Sequence, residues 1–466
     1  MDASRLPAID FGNLVAGVLE GSGMEPRRLR GELAARFRDA HAEVEARRKT
    51  GEAGFFDLPR DRPLAARTRR LADTSARRCD ALVVIGIGGS ALGAAALRDA
   101  LLPPSWNEPD AAARGHAPSL HILDNPDPDT VSALLARLNP SRTLFNVVSK
   151  SGTTTETMSL FLVVWRWLED TLGAGKAKTR FLFTTSPERG TLRQLATRWD
   201  IPALPIPDAV GGRFSVLSPA GLLPAAAAGI DIEAVLAGAG AMARRCSTPD
   251  LARNPAGTLA TLLHAADTEM GASVQVFMPY SDRLRGFAYW VRQLWAESLG
   301  KALDRAGRRV ETGPTPLPAF GAADQHSILQ LLMEGPRDKV VVFLGREAPG
   351  EDVAIPALFP DSPGLAYLGG HTLFGLLDRE RRATAEALRR AGRMNMTVMV
   401  GRVDAHSAGA LFMLFQIAVV YAGALYGVDP LDQPGVELGK TLTRGLMGGS
   451  GHEVPSIPPP DPRWRV

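Results

Sequence analysis

Apolar residues in this chain gather in short β-branched runs separated by helical patterns, and the two alternate from about residue 80 onward. The runs ALVVI (81–85), SLHIL (119–123), TLFNVV (143–148) and the segment 180–184 have the length and composition of buried strands. Between and after them, 91–101, 130–138, 158–168 and 190–199 read as helices, the third of them largely buried. A Gly-rich loop (208–217) and a helix at 220–228 follow. A second series has strands expected at 274–279, 340–345 and 397–400, with helices at 284–299, 371–391 and 408–426. Strands alternating with helices imply right-handed βαβ units. The expected fold class is therefore α/β, with two mainly parallel sheets, each flanked by helices in three layers. No sequence-level repeat relates the two halves. Residues 1–75 differ, with helical periodicity clearest over 27–49, many Arg and Glu, and little β character. They predict a helical arm packed on the unit that follows. The arginine-rich stretch 242–255 reads as a connection, and the Pro- and Gly-rich 448–466 as an extended tail. The boundaries drawn are 1–75 (arm), 76–245 (first unit), 256–440 (second unit) and 441–466 (tail).

Composition narrows the class. A chain of 466 residues, 45% apolar and 22% charged, has enough apolar sequence for two or three full cores. The net charge of +3 is nearly balanced, and no run of like charge is interleaved with aromatics, so no nucleic-acid partner is expected. Cys79 and Cys246 form neither a disulfide framework nor a metal-ligand spacing, which suits a reducing cytoplasm. The N-terminal MDASRLPAID lacks the layout of a signal peptide. The stretch 408–428 is uncharged and long enough to span a bilayer. Its flanks carry Asp404, His406 and Asp429, not a basic cluster, and its small residues and Gln416 suit helix-on-sheet packing. It reads as a core helix, and no membrane partner is expected. Only seven of the 53 basic residues are lysine, so each lysine hints at a site that wants a compact amine.

The densest chemistry lies in VVSKSGTTTET (147–157). Ser149, Ser151, Thr153, Thr154, Thr155 and Thr157 put six hydroxyls into nine residues, with Lys150 among them and Gly152 freeing the backbone. A strand turning through glycine into a helix aims unpaired N–H groups, and the positive end of the helix dipole, at whatever sits above the turn. Hydroxyls, N–H groups and an ammonium together suit a phosphate-type dianion. The competing reading is a capped helix, since Thr153 and Glu156 have capping-box spacing. Capping accounts for one or two hydroxyls, not six. A second Gly-rich turn, GIGGS (86–90), matches the G-x-G-x-x-G/A dinucleotide fingerprint through Gly86, Gly88 and Ala91, with Asp124 ending the next strand. Asp124 lies well beyond the usual offset of about 20 residues, so a nicotinamide enzyme is only a rival reading.

Four further stretches decide the matter: GGRFS around Arg213, WAESLGK around Glu297 and Lys301, DQHS around His326, and QPGVELGK around Gln433 and Lys440. With GIGGSALG and SKSGTTTET they stand in the order and wording of the phosphoglucose isomerase family, which this chain closely resembles, in its shorter bacterial form. The resemblance runs from about residue 80 to 441. It implies two sugar-isomerase (SIS) domains, a homodimer with shared active sites, a sugar-phosphate substrate, no metal and no cofactor. Carried over by position, it implies Glu297 as the base, His326 and Lys440 as ring-opening groups, and Arg213 as the charge stabiliser. Ser149, Lys150, Ser151, Thr153 and Thr154 correspond to phosphate contacts, and Gly89, Ser90 and Gln433 to sugar contacts. The histidine position in the family reaches into the partner subunit's site. Gly152 departs from longer relatives, which often carry a bulkier residue there.

The implied activity is reversible conversion of glucose 6-phosphate to fructose 6-phosphate in the cytoplasm. Alternatives are an enzyme acting also on mannose 6-phosphate, and a non-catalytic SIS sugar-phosphate sensor. Each residue also has a plain structural reading. Glu297 can be half of an i,i+4 pair with Lys301, His326 can cap a helix, Arg213 can be one more surface arginine, and Lys440 a solvated helix position.

Overall fold

Two five-stranded sheets organise the chain in the computed structural model, which describes residues 6–19, 23–449, 451 and 453–465. The chain enters through β1 (Ala8–Asp10) and helices α1 (Glu32–Lys49) and α2 (Arg62–Ala76). The first unit then runs β2 (Ala81–Ile85), α3 (Leu92–Leu101), β3 (Ser119–Leu123), α4 (Pro128–Arg137), β4 (Thr143–Ser149), α5 (Thr155–Leu172), β5 (Phe181–Thr185), α6 (Thr191–Trp199) and β6 (Ala203–Pro205). All its strands are parallel, in the order β3-β2-β4-β5-β6. β2, β4 and β5 are buried at every residue, as a sheet covered on both faces requires.

A one-turn segment (Gly212–Leu217) and helices α7 (Pro219–Ala227), α8 (Ile232–Arg245) and α9 (Pro255–Met270) lead to the second unit. There follow β7 (Val274–Pro279), α10 (Arg285–Leu299), a small hairpin of β8 (Lys301–Leu303) and β9 (Arg309–Thr312), β10 (Thr315–Pro318), β11 (Lys339–Arg346), α11 (Leu373–Arg390), β12 (Asn395–Val400), α12 (Ala405–Tyr426) and α13 (Glu437–Leu446). The sheet order is β1-β12-β11-β7-β10, parallel except for β1. The stretch long enough to span a bilayer is α12, buried at every residue from Ser407 to Gly423 among α1, α8, α9 and α10.

The strands and helices of the α/β alternation fall within a few residues of the pattern read from the sequence. Outside that alternation, helices α8 and α9 occupy much of 232–270, where the sequence pattern showed none, and further features differ. Ala8–Asp10 pairs antiparallel with β12, so the N-terminal stretch contributes a strand to the distant sheet. Three residues are too few to show a period. α1 likewise packs on α12: Phe37 meets Tyr421 edge-on at 5.1 Å, and His41 Nδ1 lies 2.8 Å from the Tyr421 hydroxyl. α2 packs on the first unit, against α7, and Phe55 stacks there on Phe214 at 4.9 Å. The stretch 242–255 is part helix, since α8 continues to Arg245. At the other end α13 crosses the 440/441 boundary drawn above.

The Pro-rich approach to His326 contains a regular strand. β10 pairs with β7 through N–H groups of Thr315, Ala319 and Gly321, so Pro316 and Pro318 fall where an N–H would face away from the sheet. At an edge, proline costs no ladder bond.

Candidate active site

β4 delivers Ser149 to the carboxyl end of the first sheet, where its side chain is buried. Its Oγ lies 3.0 Å from Thr154 Oγ1 and accepts the Gly152 N–H at 3.1 Å, closing residues 149–154 into a tight loop. Thr153 donates to Ser151 Oγ from both N–H and hydroxyl at 3.2 Å. The helix N-cap is Thr154, not Thr153, and its side chain turns back to Ser149 without capping α5. The capping-box arrangement is therefore not formed. The first turn of α5 keeps the orphan N–H groups and positive end of an uncapped helix.

A second uncapped helix start meets the same loop. Gly152 has φ +67°, and a Cβ there would lie 2.8 Å from the Leu192 nitrogen and 3.0 Å from that of Thr191, at the head of α6. The N-cap of α6 is Gly190, which has no capping side chain. A bulkier residue at 152 needs another backbone, so glycine and the approach of α6 go together. Lys150 does not point its ammonium at the loop's hydroxyls. Its Nζ donates to the carbonyls of Asp208 (2.6 Å) and Val210 (3.0 Å), and burial lowers its pKa. In this conformation Lys150 fastens the approach to Arg213.

The turn Gly88–Ser90 touches the Arg213 turn directly. A Cβ on Gly89 would sit 2.3 Å from the Gly212 carbonyl carbon, and Ser215 Oγ donates toward Gly212 O (2.7 Å) and Gly89 O (3.2 Å). Gly88, the fingerprint glycine that would face a pyrophosphate, instead faces the Gln293 side chain, whose Nε2 would lie 2.7 Å from a Cβ there, which counts against the nicotinamide reading.

Arg213 is 3% exposed and is no surface arginine. Its Nε donates to Ser298 Oγ (2.7 Å), Nη1 to Gln433 Oε1 (2.8 Å) and Glu297 Oε2 (3.3 Å), and Nη2 to the carbonyls of Pro430 (2.6 Å) and Asp432 (2.9 Å). Burial pulls its pKa down while the Glu297 and Asp432 carboxylates oppose the shift, and a guanidinium stays charged throughout. Glu297, in the last turn of α10, is partly open, with its side chain 32% exposed. Its other oxygen, Oε1, accepts from Gln293 Nε2 at 3.0 Å. The i,i+4 partner does not claim the carboxylate. Lys301 Nζ instead donates to the Glu297 backbone carbonyl (2.8 Å), the Asp432 carbonyl (2.7 Å) and Asp432 Oδ1 (3.1 Å). Burial lowers the lysine's pKa, opposed by Asp432.

The structure thus gathers Gly89, Arg213, Glu297 and Gln433 around one spot, with Ser90 in the turn that carries Gly89. His326 and Lys440 join them by no hydrogen bond or ion pair among the described residues. His326 ends the turn Ala323–His326 with its side chain exposed. That turn is firmly held: Asp324 accepts from the Phe320 N–H (2.7 Å) and the Ser327 hydroxyl (2.8 Å), and Gln325 donates to Thr384 Oγ1. Lys440 lies on α13, half-exposed and paired with Glu437 at 2.8 Å. Sequence reasoning missed Gln293 and Ser298. Gln293 sits one helical turn before Glu297, and its buried Oε1 has no partner, leaving an acceptor beside the carboxylate. The i−4 position on the same helix face was the available signal. Among the described residues no three His, Cys, Asp or Glu side chains gather as a metal site needs.

The phosphoglucose isomerase family model matches residues 67–346. A glucose-6-phosphate isomerase of Carboxydothermus hydrogenoformans is 41% identical over 446 residues, which is 96% of this chain and 95% of that protein. One from Rubrobacter xylanophilus is 43% identical over 451 residues, 96% and 99% of the two chains. Among solved structures, a hypothetical protein of Thermus thermophilus superposes with a TM-score of 0.84 at 38% identity, covering 95% of this chain and 100% of that one. A glucose-6-phosphate isomerase of Chlamydia trachomatis shares the fold, with a TM-score of 0.79 at 22% identity over 92% and 87% of the two chains.

Proposed function

Because the chain belongs to the phosphoglucose isomerase family and interconverts glucose 6-phosphate and fructose 6-phosphate, we propose that its reaction centre is the cluster around Glu297 and Arg213. One observation carries the assignment. Glu297 is steadied on one oxygen by Arg213 and on the other by Gln293, while Lys301, its obvious charge partner, is engaged elsewhere. The carboxylate is oriented yet still partly open, as a base must be.

The reaction moves a proton between C2 and C1 of the open-chain sugar through a cis-enediolate. One carboxylate on one face takes the proton and returns it. A base supplies only about 10²–10⁴-fold, so the developing oxyanion needs a fixed cation as well. Arg213 suits this role, since five contacts hold it in place and it cannot lose its own proton. Residues 149–154, with two uncapped helix starts, receive the phosphate, whose binding positions the reacting end of the sugar. Gly89, Ser90 and Gln433 hold the sugar. His326 and Lys440 move the ring-oxygen and C1-hydroxyl protons when the ring opens.

The working form is a homodimer in which His326 of one subunit serves the other's site. Two features support this reading: the outward-facing imidazole, and the apolar residues of α13, where Leu438 and Leu446 are 69% and 54% exposed. Two buried free thiols, Cys79 and Cys246, support a cytoplasmic location. No cofactor or metal takes part in this scheme. The test is a coupled assay on glucose 6-phosphate with mannose 6-phosphate in parallel. Fructose 6-phosphate formation is expected. Binding without turnover would instead indicate a sugar-phosphate sensor, and equal turnover of both sugars a dual isomerase.

A further inference from the structure

Lys301 has no task in the chemistry above, yet its ammonium is buried and fully engaged. The side chain is 5% exposed, and its three donors meet three acceptors: the Glu297 carbonyl, the Asp432 carbonyl and Asp432 Oδ1. A cap for the end of α10 needs only the first of these. The other two reach 131 residues along the chain, into the loop 430–433. Arg213 Nη2 grips the same loop at the carbonyls of Pro430 and Asp432, so the Asp432 carbonyl is shared by two cations. Immediately downstream, Gln433 meets Arg213 Nη1, and the turn Pro434–Val436 leads into α13 and Lys440.

We propose that Lys301 is a positioning residue: it latches the 430–433 loop to the end of α10 and so sets where Lys440 stands relative to Glu297, Gln433 being held separately by Arg213. Lys301 touches no reacting atom. The inference rests on reading Lys440 as a ring-opening group. Glu297 is anchored by its own helix and by Gln293, so loss of the latch harms ring opening more than proton transfer.

The experiment compares Lys301→Met, Asp432→Ala and Lys440→Ala on two substrates. One is glucose 6-phosphate, and the other a 6-phosphorylated analogue lacking the hydroxyls that close the ring. Thermal melts confirm that each variant is folded. Lys301→Met should lower kcat on glucose 6-phosphate by about ten- to a hundredfold, the range for losing charged hydrogen bonds. KM should change little, and turnover of the open analogue should be largely preserved. Asp432→Ala keeps both carbonyl contacts and should show a smaller loss with the same ring selectivity. Its half-exposed carboxylate makes it the deciding variant if Lys301→Met does not fold. Lys440→Ala should show the ring-selective loss most strongly. If it does and neither latch variant does, the inference alone is overturned. If Lys440→Ala shows no selectivity, the ring-opening reading falls and takes the inference with it. Equal loss on both substrates in Lys301→Met marks a general structural support, which also overturns it.

Discussion

Glu297 shows how one residue's surroundings choose between its possible roles. By spacing alone it pairs with Lys301, but a side-chain ammonium can equally reach the backbone carbonyls at a helix end, and sequence does not say which. The structure gives Lys301 to the carbonyls and leaves the carboxylate to Arg213 and Gln293. The motifs made Glu297, Arg213 and Gln433 legible. Gln293 was not, because its one signal, a place four residues before Glu297 on the same helix face, is shared by many helix glutamines of no special role. Three predictions belong here. Glu297→Gln should slow exchange of the C2 proton with solvent by about 10²–10⁴-fold, whatever form of sugar is supplied. His326→Ala should be costly when a ring must open and partly rescued by an open-chain analogue. NMR-monitored exchange and steady-state assays separate the two, and an equal, unrescued loss in both variants would refute the division of roles. If the Thr154 hydroxyl, which lies 3.0 Å from Ser149 Oγ, meets the phosphate in ground and transition states alike, Thr154→Ala should raise KM while kcat changes little.

At the scale of elements, the strand–turn–helix around residue 150 was readable because buried runs and glycine turns have short-range signatures. The strands β1 and β6, of three residues each, were too short to show a period. α9 was missed because it is buried on nearly every face, which erases amphipathic contrast. Gly152 ties two elements together, and Gly152→Ala tests that tie. A Cβ there must accept a left-handed backbone, at about 1–2 kcal/mol, and a 2.8 Å approach to the start of α6. The expected result is a raised KM for the phosphorylated sugar, with kcat less affected. Within β3, burial pushes His121 down to about 4, with Arg137, Arg98 and Arg114 adding to the shift. Its folded pKa lies below the ordinary 6.5, so its contribution to stability is intact above pH 6.5 and is lost as the pH falls toward 4. His121→Gln should remove on the order of 1 kcal/mol of the stability lost between pH 7 and pH 5, after discounting for partial exposure. Urea melts at the two pH values read this directly. A pH dependence identical to the parent's would show that His121 is not the group responsible.

At the scale of the molecule, the sequence announced two alternating α/β series but not where the N-terminal segment goes, because periodicity records which face is buried and not against what. β1 and α1 join the second sheet and α12, so the N-terminal segment is built into the second unit. Assembly is equally silent in the pattern of one chain. His326 leaves its own sheet on β10 and ends exposed, in a turn held by Asp324 and Gln325, which is the geometry of a group presented outward. If that imidazole completes the partner's site, Glu297 and His326 of one site come from different subunits, and complementation follows. Glu297→Gln and His326→Ala homodimers, each nearly inactive, are mixed and allowed to exchange subunits. In the mixed dimer one site then receives both defects and the other neither. With independent, symmetric sites the heterodimer should recover roughly half of the parent activity. Sites built within single chains would each retain one defect, and nothing would be regained. Native mass spectrometry establishes that heterodimers have formed. With that established, absence of regained turnover would exclude shared sites while leaving the proposed roles of Glu297 and Arg213 untouched.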